Sequence, residues 1–134
     1  MKIYTSYFAK MKNIPEDIVR ISICGKAPDW YEGIQYKKVA PKYGFFQEWK
    51  KNNDNCFYIK HFNSEVLDTL KAEEVYKDLE KLSGGEDCVL LCYEKSSDFC
   101  HRHLVGDWLE QKLGIDVKEY DYEYNEKESK WFNF

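Results

Sequence analysis

The sequence predicts an α/β domain of layered, Rossmann-like build, with a mainly parallel sheet flanked by helices. Three observations predict it. The stretch Asp87–Tyr93 (Asp-Cys-Val-Leu-Leu-Cys-Tyr) is nearly all apolar, as expected of a strand covered on both faces in a parallel sheet. Strand-like and helix-like segments alternate along the chain, a pattern that calls for right-handed crossovers. The chain has 134 residues, and no repeat or Pro/Gly/Ser linker divides it, so residues 1–134 read as one domain.

The elements follow in order. Lys2–Phe8 reads as a first buried strand, ending near Ser6. In Val19–Cys24 the apolar Val19, Ile21 and Ile23 alternate with Arg20, Ser22 and Cys24, the period of a strand. Gly25 and Pro28 punctuate its end. Between Trp30 and Phe62 a helix is expected around Phe45–Lys51 and irregular chain elsewhere. Ser64 reads as the N-cap of a helical stretch through Val66, Leu67, Leu70, Val75, Leu79 and Leu82. That stretch breaks near Lys71 and stops at Gly84-Gly85, where a positive φ closes the turn. After the apolar strand comes a helix from about Asp98 to Leu113, with Gly114 just past its end. Asp116–Tyr124 is a weaker strand whose apolar register slips by one, the sign of a bulge or an edge. The acidic run Glu119–Glu128 then frays into a tail. The terminal Trp131, Phe132 and Phe134 dock back onto the domain in preference to a second copy.

Composition excludes several classes. Hydrophobic residues at 43% and charged residues at 33% are those of a globular chain. A mean hydropathy of −0.71 without a long apolar run excludes a spanning helix, so no membrane is expected as a partner. The N-terminus carries no secretory apolar region. Five cysteines form no disulfide framework, which favours a reducing cytoplasm. Six lysines against Glu48 and Asp54 lie between Tyr36 and Phe62, interleaved with Tyr43, Phe45, Phe46, Trp49, Phe57 and Tyr58. That pattern can stack bases and hold a backbone, but aromatics in a core and solvated lysines account for it as well. The formal net charge of −4 fits a nucleotide-sized ligand better than a duplex, so nucleic acid is the weaker partner expectation.

The chemistry concentrates in Cys92-Tyr93-Glu94-Lys95-Ser96-Ser97-Asp98-Phe99-Cys100-His101-Arg102-His103. A buried strand ends at Cys92, a polar loop follows, and a helix begins. Ligands of parallel sheets gather there. At about 100° per residue, His101 falls inside the apolar stripe of the helix, whereas His103 faces solvent and Arg102 sits at the stripe's edge. A thiol in the first helical turn is drawn toward the thiolate by unpaired N–H groups and the helix dipole. Arg102 would add to that and hold an anion. Glu94 is a general base, or the partner that orients Arg102 or His101. Taken singly each has a bland reading: Cys88 and Cys92 as core, His101 as a satisfied core histidine, Glu94 with Arg102 as a structural ion pair. Their convergence favours a site.

The stretch Leu90-Leu91-Cys92-Tyr93-Glu94-Lys95, followed after the loop by Cys100-His101-Arg102-His103-Leu104-Val105, resembles the signature of the domain of unknown function 488 family. Ile3–Phe8, Ile21–Ile23, Tyr36–Pro41 and Leu82–Gly85 are similar to one branch of it. The resemblance runs to about Leu113 and implies a small cytosolic α/β domain with an enzymatic or nucleotide-related role. Its pattern falls on Ser6, Ser22, Cys92, Glu94, Cys100, His101 and Arg102. Cys24-Gly25-Lys26 departs from it, standing where a small residue and often an Arg are expected.

Close analogy to thiol phosphatases fails, because Cys92 and Arg102 are ten apart in sequence and Glu94 and Asp98 would repel a phosphate. A zinc set of Cys92, Cys100 and His101 with Glu94 lacks the usual pair spacings, and adjacent helical residues point about 100° apart. No metal ligand and no cofactor is therefore assigned. A Cys92–Cys100 redox switch has no stronger support. The expectation is an enzyme acting on a small anionic or nucleotide-like ligand. Ser6 and Ser22–Gly25 border one crevice with Cys92 and Glu94, and the basic, aromatic middle segment forms a wall or lid over it. Arg102, Ser6 and Ser22 bind the ligand, Glu94 is the acid/base, His101 orients, and Cys100 or Cys92 is the nucleophile. Without thiol chemistry, Glu94 and a water would give hydrolysis or glycosyl transfer. The alternative is a non-catalytic ligand-sensing or nucleic-acid-associated module. No oligomeric state is assigned.

Overall fold

The structure, a computed structural model, describes residues 1–94 and 99–120. Along them run β1 (Ile3–Tyr7), β2 (Val19–Ser22), β3 (Ile34–Gln35), α1 (Tyr43–Asn52), α2 (Asn55–Glu65), α3 (Ala72–Ser83), β4 (Cys88–Cys92), α4 (His101–Leu113) and β5 (Val117–Glu119). The strands make one sheet in the order β3-β2-β4-β1-β5, and every pairing is parallel. The layered α/β fold expected from the sequence is the one observed. No helix among the described residues is long and apolar enough to cross a membrane.

β4 is central and wholly buried, which is why its sequence lacks the alternation of a strand with one wet face. Tyr7 of β1 pairs with Cys92, and Ser22 of β2 pairs with Leu91. The C-terminal ends of the three inner strands therefore meet at one edge. α4 packs on β1, β4 and β5 and on α3, while α1 and α2 pack on each other. Helix ends follow residue chemistry: Gly84 and Gly114 take φ of 67° beyond α3 and α4, and the Gly114 N–H donates to the Glu110 carbonyl at 2.9 Å.

The structure corrects the start of the long helical stretch. Ser64 is no N-cap; it lies in the last turn of α2, its hydroxyl donating to the His61 carbonyl at 3.4 Å. Asp54 caps α2 instead, accepting from the Phe57 N–H at 3.2 Å. Val66 and Leu67 keep the apolar spacing, yet Val66 is the cap residue that ends α2 and Leu67 opens a 3-10 turn at Leu67–Thr69 between two helices. α3 begins after Lys71, where the break was placed. α4 begins at His101, with Cys100 as its N-cap, and the expected start at Asp98 falls outside the described residues. β5 is an edge strand on β1. The fraying tail and its terminal aromatics also lie outside the described residues.

Tyr36 fastens the segment after β3 to α3. Its hydroxyl donates to Asp78 Oδ2 at 2.5 Å, and Lys38 Nζ donates to the same oxygen at 3.1 Å. The Tyr36 hydroxyl first, and Lys38 with it, hold the Asp78 carboxyl below its usual range. A carboxyl depressed by folding contributes stability above about pH 4, and that contribution is lost as pH falls through the folded value. Tyr36→Phe is expected to cost about 1 kcal/mol at neutral pH, read from the urea midpoint. The gap from wild type is expected to narrow in acid; a gap constant across that range contradicts the pairing.

Candidate functional site

The site is assembled where β4 ends and α4 begins. Cys92 closes β4 with no exposed surface, while Cys100 is 4% and His101 6% exposed. Cys100 has extended backbone (φ −155°, ψ 145°), and its side chain caps no helical N–H. His101 Nε2 lies 2.7 Å from the carbonyl oxygen of Ile23, just past β2. A carbonyl only accepts, so Nε2 carries the proton and donates, which leaves Nδ1 toward the sulfurs. Nδ1 is 3.4 Å from Cys92 Sγ and 3.9 Å from Cys100 Sγ, and Nε2 is itself 3.5 Å from Cys92 Sγ. One donor atom from each of the three residues lies within 4.8 Å of the others.

The two thiols are unequal. A hydrogen bond from Cys92 first, then His101 and the charge of Arg102, pull Cys100 well below the usual thiol range against the effect of burial. Cys92 is pushed well up, by burial first and then by its neighbours Cys100 and Cys24. A protonated Cys92 beside a Cys100 thiolate satisfies both. Glu94 is half-buried. Burial first, then the negative sulfur of Cys100, raise its carboxyl above the ordinary range.

Glu94, Cys100 and His101, but not Cys92, line a cleft of about 740 Å³. Cys24, Glu94, Cys100 and His101 line its base, and Phe46, Trp49, Tyr58, Tyr93 and Phe99 its walls, with Lys26 and Lys50 alongside. The walls are themselves packed: Trp49 and Phe99 each meet the Tyr58 ring, at centroid distances of 5.3 and 5.0 Å.

Of the seven residues named from the sequence, the structure brings four together: Cys92, Glu94, Cys100 and His101. The other three are braces. Arg102 is fully buried and does not line the cleft. Its Nε donates to Glu119 Oε1 at 3.1 Å and its Nη2 to Oε2 at 2.9 Å, so its charge is already spent on β5. It pairs with Glu119, not Glu94. Ser6 and Ser22 are also fully buried. Ser6 Oγ donates to the Tyr120 carbonyl at 3.3 Å, and Ser22 Oγ accepts from the Cys24 N–H at 3.4 Å. Cys24 lines the cleft with Gly25, within the Ser22–Gly25 stretch expected at the crevice, although no chemical role was expected of it. Its signal was available, since it follows its strand as Cys92 closes the neighbouring one.

A sequence profile of DUF488-N3a, described as the active DUF488-N3 subclade, matches residues 6–113. No curated protein and no solved structure matches the chain. The matched stretch covers most of the chain and contains all four clustered residues together with the three braces. The chain belongs to the DUF488-N3a subclade of the DUF488 family.

Proposed function

We propose that the chain is an enzyme acting on a small anionic, nucleotide-like ligand held in the cleft at the C-terminal edge of the sheet. One observation carries this reading: a single cleft has aromatic walls and lysines at its sides and Glu94, Cys100 and His101 at its base. Its volume suits a small ligand, and a mostly apolar lining with a few convergent polar groups is the pattern of such sites. A base stacked on Trp49 or Phe99 gains about 1–3 kcal/mol. Lys26 and Lys50 supply the charge for an anionic group, the role that the buried Arg102 does not fill. Glu94 stands beside Cys100 as the acid/base group. The description of the matched subclade as active supports an enzyme over a passive module.

Equilibrium dialysis with AMP and the other nucleoside monophosphates tests the reading. Saturable binding is expected for at least one, weakened about 10-fold or more by Trp49→Ala. Glu94→Gln is expected to keep that binding, while chromatography of the incubated nucleotide shows conversion by wild type alone. If every nucleotide fails to saturate the protein, the ligand class is wrong. Binding without conversion by wild type leaves a sensor in place of an enzyme.

A further inference from the structure

We infer that Cys92, Cys100 and His101 bind one Zn²⁺, with the fourth coordination position open to the cleft. The inference concerns the base of the cleft described above but stands on its own geometry. A tetrahedral Zn²⁺ with bonds of about 2.3 Å to sulfur and about 2.0 Å to nitrogen holds those donors about 3.5 Å apart. His101 Nδ1 lies 3.4 and 3.9 Å from the two sulfurs, straddling that value. Cys92 Sγ is nearly equidistant from Nδ1 and Nε2, at 3.4 and 3.5 Å, so seating the ion on Nδ1 asks for a turn of the Cys92 side chain and leaves the backbone in place.

Three further features agree. The Nε2–H of His101 donates to the Ile23 carbonyl at 2.7 Å, which fixes the ring and turns Nδ1 to the metal, as the outer partner of a ligating histidine does. Two thiolates and a neutral imidazole match Zn²⁺ in softness and cancel its charge in a buried place. The objection from sequence, that adjacent helical residues diverge by about 100°, assumes both are helical. Cys100 is an extended N-cap, so its sulfur is free to point where the helix would not aim it. The absence of a Cys-x2-Cys or His-x3-His spacing then has a simple cause: the ligands come from a strand end, a cap and a first helical turn, not from one hairpin or one helix face.

Among the described residues these three form the ligand set, and burial shows where the fourth position opens. Cys92 does not line the cleft, whereas Cys100 and His101 do. A fourth ligand therefore approaches from the cleft, where a water or Glu94 is at hand. Three protein ligands and one free position are the arrangement of zinc centres that act on substrates, while structural centres use four protein ligands. On binding, the Cys92 thiol gives its proton to solvent and the metal takes the proton's place.

The test uses the full chain, freed of metal with a chelator and then titrated with Zn²⁺ or Co²⁺. About one Zn²⁺ per chain is expected by mass spectrometry of the dialysed protein. The Co²⁺ form is expected to show the ligand-field bands of a tetrahedral ion and thiolate charge-transfer absorption. Cys92→Ser and Cys100→Ser are expected to lose Zn²⁺ at least 10-fold more readily, with Cys56→Ser, at an exposed position, retaining it. Wild type that keeps no Zn²⁺ after dialysis overturns the inference, as does an octahedral Co²⁺ spectrum without thiolate absorption. The spectrum is read on wild type, so poor folding of a variant does not blunt it. Nucleotide dialysis on the zinc-free and zinc-loaded protein separates the two proposals, since a cleft that binds AMP without metal and a metal centre without AMP are distinct results.

Discussion

Glu119→Gln is expected to lower the unfolding free energy by about 3 kcal/mol, one of the larger single-residue effects in the molecule. The Arg102 guanidinium has no exposed surface, and among the described residues its hydrogen bonds go to the two carboxylate oxygens of Glu119. Its remaining nitrogen, Nη1, is buried with no partner among the described residues, and the Tyr7 ring lies 5.6 Å from its central carbon. Neutralising the carboxylate leaves a buried cation to bear its full desolvation cost, and breaking such a pair by removing one partner typically costs 3–5 kcal/mol. The oxygen that glutamine keeps still accepts a hydrogen bond, which places the effect near the lower end. Removing both charges is a different matter. Arg102→Met with Glu119→Leu is expected to recover part of the loss, because neither charge is then stranded and the orphaned Nη1 disappears, while the buried Thr5 hydroxyl loses its acceptor, Glu119 Oε1 at 2.7 Å. Urea unfolding of the single and double variants decides it. A Glu119→Gln chain within about 0.5 kcal/mol of wild type would mean that the pair carries little.

The same pair explains why the role of Arg102 was not legible in sequence. Helical geometry placed Arg102 at the edge of the apolar stripe, within reach of the strand ends, but nothing local identified its partner. Glu119 lies seventeen residues on, in the three-residue edge strand; the sequence offers that strand but not which of its acidic residues meets Arg102. Local signals fared better. β4 announced itself by continuous apolar residues, His101 by its phase in α4, and Gly84 and Gly114 by the positive φ each supplies. β3 has two residues, too few for any period. The α2 to α3 region misled because apolar spacing continues through a 3-10 turn, so one pattern spans two helices. At the site, the strand-end cysteine, the loop carboxylate and the inward histidine could be ranked from sequence. That Cys24 and the aromatic face of α1 meet them follows from strand-end position and composition; which rings point inward depends on the packing of distant segments, which periodicity does not encode.

Phe62→Ala is expected to cost about 3–5 kcal/mol and to loosen the site without touching the cleft. Phe62 is fully buried on α2. Its ring stacks on Tyr58 at 5.9 Å and meets His101 at 5.6 Å, so it stands between a cleft wall and a proposed metal ligand. Truncation removes the transfer free energy of the ring and opens a cavity that neighbours held by β4 and α4 can close only in part. The Ile23 carbonyl would still hold Nε2 of His101, but the face of the imidazole would lose its support. Phe62→Leu keeps much of the volume and is expected to cost less than half as much. Urea unfolding gives the stabilities, and AMP dialysis under native conditions gives the site. A fall in AMP affinity for Phe62→Ala, restored in Phe62→Leu, is the expected result. If Phe62→Ala costs no more than truncation of the partly exposed Phe99, the ring is not the keystone between α2 and the strand ends, and the site draws its rigidity from β4 and α4 alone.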